Sequence, residues 1–216
     1  MKGVLDDSAP GLRVRFHATQ ALLKSIADGE SADVVILTAE GIDQLAGQGK
    51  LEAASRVELG SSGVGLAVRA GAPKPDIGSV EALKRALLAA PSVAHSRMGA
   101  SGIYFAGLLE RLGLADRLKK RVIVEKGPVG AAIANGEAEL GAQLLCELAP
   151  VPGIDIVGPL PDELQQLSVF AAAVMAGSAR RAAAQAFLDF LGTAQVQAAM
   201  QKNQFIPARR SPRRPG

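Results

Sequence analysis

Hydroxyl side chains stand at the starts of several predicted helices, where they could bind a small anion. Thr19 lies in the segment HATQ, Thr38 ends a buried strand in LTAE, and Ser101 precedes a helix in GASGIY. The first turn of a helix has unpaired backbone N–H groups, so hydroxyls and N–H groups together can surround an anion without a positive side chain. These residues therefore predict an anion site built from neutral donors, although each hydroxyl could equally be an ordinary N-cap.

The segment GASGIY carries two further candidates. Gly102 has no side chain, so it would let the backbone approach a ligand closely. Tyr104 could close over that ligand, but a tyrosine on a helix also commonly serves packing. Thr38 lies where a strand of an α/β sheet ends, and such sheets bind their ligands at that edge.

Other motifs point away from phosphate, metal and nucleophilic chemistry. GSSGVG at residues 60–65 has the wrong order of glycines for a dinucleotide fingerprint and precedes a strand, so we interpret it as a hinge whose Ser62 faces a cleft, or as a plain turn. His17 and His95 have too few neighbouring ligands for a metal site and no paired nucleophile and acid. Cys146 follows an apolar strand and is interpreted as a small buried hydrophobe. We expect no cofactor.

Alternating strands and helices must position these groups. Residues 13–16, 19–28 and 32–38 predict a strand, a helix and a buried strand, which is a βαβ unit. Ser79 is a predicted N-cap and Pro91 ends the helix that follows it. Further alternation continues to residue 202, with strands predicted near residues 64–68, 92–96, 121–126, 140–145, 154–159 and 168–176. This order is typical of an α/β fold.

Composition excludes several classes of function. Aromatic residues make up 3% of the chain and Trp is absent, so stacking on nucleic acid bases is not expected. Four of the positive charges come from arginines in the C-terminal tail, and removing those four turns a net charge of +3 into −1. We therefore expect no nucleic-acid partner and a solvated tail. The first thirty residues lack the apolar core of a signal peptide, and no segment has the length of a membrane helix.

Five segments occur in an order that identifies a family. They are ADVVILTAEGIDQLAGQGK, SSGVGLAVRAGAPKPDIGSVEALKRALLAA, ASGIYFAGLLERLGLADRL, GEAELGAQ and ARRAAAQAFLDFLGTAQVQAAM. Over about residues 12–207 the chain resembles the molybdate-type substrate-binding proteins of ABC transporters, which are type II periplasmic binding proteins. The resemblance implies two α/β lobes, each a mainly parallel sheet flanked by helices, joined by two crossover strands. Lobe one would comprise residues 1–65 and 168–216, and lobe two residues 66–167.

The resemblance also implies a ligand site in the cleft between the lobes. The expected ligand-binding residues are Thr19, Thr38, Ser62, Ser96, Ser101, Gly102, Ile103, Tyr104 and Gln143. Where the family carries a tyrosine, this chain has Leu144, so specificity for a tetrahedral oxyanion does not follow. Gln143 and Ser96 could instead hydrogen-bond a small carboxylate. We expect a binding protein that traps a small anion for ABC-type uptake, with the transporter's membrane subunits as partners.

A second function and the cellular location depend on the N-terminus. Relatives begin with an additional strand and a loop carrying an anion-binding serine, whereas Met1 falls inside what resembles their first helix. If the natural start lies upstream with a signal peptide, the protein is periplasmic; as written it is cytoplasmic. A missing strand would expose a sheet edge and offer a route to a homodimer. The alternative function is a cytosolic enzyme or ligand sensor acting on a small organic acid, although no acid and base pair is apparent.

Overall fold

A computed structural model describes residues 12–208. Its helices begin and end close to where capping and periodicity predict, and we number them as follows: α1 Thr19–Ala27, α2 Ala39–Gly47, α3 Val80–Ala89, α4 Ala100–Arg111, α5 Val129–Ala134, α6 Leu145–Leu148, α7 Arg181–Leu191 and α8 Ala194–Lys202. Ser79 caps α3 as predicted, since its hydroxyl accepts a hydrogen bond from the Ala82 N–H at 3.2 Å. Between residues 12 and 208, no helix is long and apolar enough to cross a bilayer.

The strands form one open sheet. They are β1 Val34–Thr38, β2 Val57–Arg69, β3 Val93–Ser96, β4 Arg121–Val124, β5 Leu140–Leu144, β6 Ile154–Pro159, β7 Leu167–Val174 and β8 Ile206–Pro207. Their order is β1-β7-β2-β5-β3-β4, and β6 and β8 also pair with β2. An open sheet flanked by helices confirms the α/β class.

Parallel pairing is confined to part of this sheet. Among the described strands only β3 with β4 and β3 with β5 pair in parallel, whereas β1, β7 and β2 form antiparallel ladders. The prediction that each lobe has a mainly parallel sheet is therefore wrong in this respect. The physical reason is that the strands of this region do not follow one another as βαβ units: β2 pairs with β7, and β1 pairs with β7, a strand distant in sequence that runs in the opposite direction.

The long strand β2 changes partners near its middle. Its residues 57–63 pair with β7 and β8, and its residues 64–69 pair with β5 and β6. We call the first group, with β1, the first half-sheet, and the second group, with β3 and β4, the second half-sheet. At the change of partner the Gln165 side chain satisfies both backbone groups of Val64, at 2.8 and 3.0 Å. The lobe limits given above remain a prediction.

Helices cover both faces of each half-sheet. In the first half-sheet, alternate residues of β7 point to opposite faces: Ala171 and Ala173 pack with α1 and α2, while Ala172 and Val174 pack with α7 and α8. In the second, α3 and α4 pack around the fully buried Phe105 on one face. On the other face α5 and α6 pack through Ile133 and Leu148. The buried apolar residues thus form four separate interfaces, each between helices and one face of a half-sheet.

The predicted strand at residues 13–16 is wrong. Residues 12–18 have no regular structure, and Leu12, Val14 and Phe16 are exposed. Arg15 instead hydrogen-bonds the Ser31 carbonyl and forms an ion pair with Glu30, both at 2.8 Å. Alternating apolar residues form a strand only where a ladder partner lies beside them, and β1 pairs with β7 alone among the described strands. The arginine tail lies outside the described residues.

Candidate functional site

Three parallel strands end at one edge of the second half-sheet, and a helix follows each of them. Strand β3 ends at Ser96 before α4, β4 ends at Val124 before α5, and β5 runs directly into α6. The helix N-termini therefore gather at the carboxyl edge of the strands, where α/β sheets bind ligands.

The start of α4 has the properties of an anion site. Its N-cap, Gly99, provides no capping side chain. Ser101 is only 2% exposed, yet its hydroxyl has no hydrogen-bond partner among residues 12–208. The Ile103 N–H donates to the Gly99 carbonyl at 3.0 Å, so the open N–H groups are those of residues 100–102. Ile103 itself is exposed at the edge of this site, with 48% of its surface accessible.

Gly102 is held tightly against the end of β3. A Cβ at this position would lie well inside 3.0 Å of both the Ser96 carbonyl oxygen and the Ser96 hydroxyl, so only glycine fits. Strand end and helix start are thereby in direct contact. The structure thus brings together Ser96, Ser101 and Gly102 from the predicted set.

The first half-sheet approaches this point through α1. The Gln20 N–H donates to the Met98 carbonyl at 3.4 Å, so the start of α1, with Thr19, lies beside the loop before α4. Thr38 caps α2 by accepting a hydrogen bond from the Gly41 N–H at 3.4 Å. Thr38 is 7% exposed and makes no hydrogen bond to the second half-sheet within the described part of the chain.

Gln143 connects the two neighbouring helix starts. Its side-chain oxygen accepts a hydrogen bond from the Gly130 N–H at 3.3 Å, in the first turn of α5. The same side chain lies close enough to the carboxyl of Glu147 in α6 to lower its pKa. Leu144, at the position of the family tyrosine, is 1% exposed and packs in the core under α4. The amide of Gln143 is therefore the polar group that β5 presents at this edge.

Glu147 lies in the short helix α6, four residues after Gln143, and is solvent-exposed. Burial raises the pKa of this carboxyl above its ordinary value, and the Gln143 side chain offsets part of that rise. We did not predict Glu147 or the start of α5. The spacing of Gln143 and Glu147, four residues apart at the end of a buried strand, was the available signal.

Two predicted residues have their polar atoms committed to other parts of the protein. Ser62 is fully buried; its hydroxyl donates to the Gln204 carbonyl and accepts from the Cys146 N–H, both at 3.1 Å. The Tyr104 hydroxyl donates to the Leu164 carbonyl at 2.6 Å. The hydrogens of both hydroxyl groups are thus donated elsewhere. In this conformation neither hydroxyl can donate a hydrogen bond to a ligand at the edge of β3.

The two histidines and the cysteine differ in their burial. His95 is 4% exposed, packs on Phe105 and places Nδ1 3.1 Å from the Ser96 carbonyl. Burial lowers the pKa of His95, and its buried Nε2 has no hydrogen-bond partner in the described part of the chain. The residue lines a cavity of about 360 Å³ between α4 and β4, together with Arg97, Arg121 and others. Burial raises the pKa of the Cys146 thiol to about 11. His17 is exposed.

Comparison with known proteins gives the family. Residues 10–206 match the model of the bacterial extracellular solute-binding proteins. An aconitate isomerase from a Pseudomonas species is 40% identical over 195 residues, which are 89% of this chain and 74% of that protein.

Solved structures share the fold at low sequence identity. The periplasmic molybdate-binding protein of Azotobacter vinelandii has a TM-score of 0.77 at 19% identity, covering 95% of this chain and 91% of its own. The sulfate-binding protein of Mycobacterium tuberculosis has a TM-score of 0.68 at 20% identity, with 96% and 81% covered. These likenesses confirm the type II periplasmic-binding-protein fold. With the family match over nearly its whole length, the chain belongs to the bacterial extracellular solute-binding protein family.

Proposed function

We propose that this protein binds a small polycarboxylate of the aconitate class at the carboxyl edge of β3, β4 and β5. The observation that carries the proposal is the start of α4, which has open N–H groups at residues 100–102 and the unpartnered hydroxyl of the buried Ser101. Ser96 and Thr19 would add hydroxyl donors. A carboxylate accepts several such hydrogen bonds, and the partial positive charge of a helix N-terminus favours it further.

The neighbouring groups favour an organic acid over an inorganic oxyanion. Molybdate and sulfate present only acceptor oxygens, so a carboxyl beside them would have to be protonated or repel them. Glu147, four residues after Gln143, would be such a carboxyl. Gln143 offers an amide, and Leu144 stands where the family carries a tyrosine. An organic acid can place carboxylates on the helix N-termini and C–H groups against Glu147.

Two activities would use such a site. The first is isomerisation of an unsaturated tricarboxylate, and the 40% identical aconitate isomerase supports it. The second is delivery of the bound acid to the membrane subunits of an ABC-type transporter, which family membership supports. Periplasmic location belongs with the second activity and stays a prediction, as does a homodimer formed through an exposed sheet edge.

A thermal-shift panel on the full chain tests the ligand class. The panel comprises trans-aconitate, cis-aconitate, citrate, tricarballylate, molybdate and sulfate at matched ionic strength. A ligand at one hundred times its Kd adds about 2.7 kcal/mol to the free energy of unfolding, because it binds only the folded chain. For a protein of this size that is a rise in Tm of roughly 5–11 °C. We expect the rise with the aconitates; a rise with molybdate or sulfate and none with any carboxylate would contradict the proposal.

Proton NMR on the same samples separates the two activities. The vinyl protons of cis- and trans-aconitate have different shifts, so conversion is measured directly. Conversion with turnover would establish the isomerase, whereas tight binding without conversion would favour delivery.

A further inference from the structure

A cavity of about 360 Å³ lies between α4 and β4, the strand at the outer end of the second half-sheet. On the helix side it is lined by small residues, Gly102, Ala106 and Gly107, where larger side chains would fill the space. Its volume is within the range of about 300–1,000 Å³ that is usual for small-molecule sites. Of the residues proposed above to bind aconitate, only Gly102 borders this cavity, so it is a second space in the protein.

Helix α4 runs back along β3 from the end of that strand. Its Gly102 lies against Ser96, the last residue of β3, and its Phe105 packs on the His95 ring with ring centroids 5.9 Å apart. Later residues of α4 therefore lie nearer the start of β3. Glu110 follows Gly102 by about two helical turns and also lines the cavity. Its carboxyl thus belongs to the end of the cavity beside the start of β3.

Arg121 lies at this same end of the cavity. It is the first residue of β4 and pairs with Val93, the first residue of β3. Within residues 12–208, neither the Arg121 nor the Glu110 side chain has a hydrogen bond or an ion pair. A guanidinium can bind a carboxylate through two parallel hydrogen bonds, and a carboxylate can accept from an ammonium. The α-carbon of an amino acid carries these two complementary groups side by side.

The other end of the cavity offers one donor group and one acceptor. Arg97 donates from Nε to Glu125 at 2.6 Å, which leaves its terminal NH₂ groups without a partner in the described part of the chain. His95 places Nδ1 3.1 Å from the Ser96 carbonyl oxygen, which can only accept, so Nδ1 carries the proton. Nε2 of the neutral ring is then an acceptor, and it is buried without a partner among residues 12–208.

The distance between the two ends suits a side chain of moderate length. His95 is two residues along β3 from Val93, which is roughly 7 Å. Ala106 and Ile123 line the cavity with apolar surface, against which CH₂ groups can pack. A primary amide at the end of such a side chain both donates and accepts, as His95 and Arg97 together require.

We propose that the cavity between α4 and β4 is a second ligand site, which binds an α-amino acid with a polar side chain of the length of glutamine. Arg121 binds the α-carboxylate, Glu110 binds the α-ammonium, and His95 and Arg97 bind the side-chain amide. A polycarboxylate suits the cavity less, because one of its carboxylates would meet the Glu110 carboxylate. The proposal is independent of the proposed function, since the site and the class of ligand both differ.

Ring-nitrogen NMR tests occupancy of the cavity. The chain has two histidines, so the full chain with His17→Gln shows the ring nitrogens of His95 alone. We expect the Nε2 resonance to move upfield and to saturate as L-glutamine is added, because Nε2 accepts a hydrogen bond from the ligand. No saturable movement up to about 20 mM L-glutamine would overturn the proposal.

Calorimetric titration of L-glutamine into charge variants tests the assigned contacts. Arg121→Gln and Glu110→Gln should each raise the Kd at least about tenfold, because each removes a hydrogen bond to a charged group of the ligand. Both side chains are exposed, so both variants should fold. The matched control is Arg85→Gln, which changes an exposed arginine on α3 outside the cavity and should leave the Kd unchanged.

A ligand without the ammonium completes the test. 4-Carbamoylbutanoate has the carboxylate and the amide of glutamine, and we expect it to bind the wild type at least about tenfold more weakly and Glu110→Gln no more weakly than the wild type. An equal Kd for L-glutamine in the wild type, Arg121→Gln and Glu110→Gln would overturn the proposal. Loss of trans-aconitate affinity in Arg121→Gln would assign the cavity to the aconitate site and overturn it as well. Failure of the wild type to bind aconitate would remove the proposed function and leave this result standing.

Discussion

Replacing Gly102 with alanine should damage both the stability and the ligand affinity of the protein. The added Cβ would lie well inside 3.0 Å of the Ser96 carbonyl oxygen, a backbone atom that cannot rotate away. Relief requires the first turn of α4 to move away from the end of β3. Overpacking of this kind costs about 1–3 kcal/mol, which for a chain of this length lowers Tm by roughly 2–12 °C. The same movement displaces the open N–H groups of residues 100–102.

Gly107→Ala is the matched control on the same helix. The nearest atom to a Cβ at Gly107 is a guanidinium nitrogen of Arg111 at 3.6 Å, which is ordinary contact. Alanine is the better helix former by about 1 kcal/mol, so Tm should stay or rise. Scanning calorimetry gives Tm, and isothermal titration calorimetry gives the Kd for trans-aconitate. We expect that Kd to rise at least about tenfold in Gly102→Ala, because charge-assisted hydrogen bonds to the ligand are lost. Equal Tm and Kd in the two variants would refute the contact and its role.

Three further predictions follow from groups outside the aconitate contacts. Ser62→Ala leaves the Cys146 N–H and the Gln204 carbonyl without their buried partner, so urea denaturation should show a loss of about 1–3 kcal/mol; an unchanged midpoint would contradict this. The folded chain holds His95 with its pKa lowered by burial from 6.5, so below that pH the unfolded chain takes up a proton that the folded chain does not. Stability should then fall toward pH 5 by up to about 1.4 kcal/mol per pH unit, and less in His95→Asn; identical pH profiles would count against the burial. Cys146, with its pKa raised from 9.0 to about 11, should react with iodoacetamide at pH 8 roughly 100-fold more slowly in the folded than in the urea-unfolded chain, in line with its thiolate fraction; equal rates would show the thiol to be accessible.

Local sequence signals predicted the elements well, and non-local contacts account for the errors. The helix at residues 80–89 follows from the Ser79 cap and its apolar spacing, both of which act within a few residues. The strand at residues 13–16 failed because a strand needs a partner supplied by another part of the chain. The antiparallel ladder between β1 and β7 joins residues far apart in sequence, and a pattern of alternating elements does not reveal it.

The residues of the candidate site likewise fall into those that local signals identify and those that depend on distant contacts. Ser101 and Gly102 could be chosen from residue type alone, because a serine and a glycine at a helix start have local consequences. The surroundings of Ser62 could not, since its hydroxyl bonds residues 84 and 142 positions away. Glu147 was missed for a related reason: its pKa depends on the protein packed around it and on Gln143, and a single glutamate in an apolar segment does not show this.

Calorimetric titration of the full chain with trans-aconitate and, separately, with molybdate tests the central claim most directly. The arrangement of the α4 start, Gln143 and Glu147 predicts one molecule of trans-aconitate bound per chain, and no binding heat from molybdate under the same conditions. Binding of one molybdate per chain, with no heat from trans-aconitate or any other carboxylate, would contradict it.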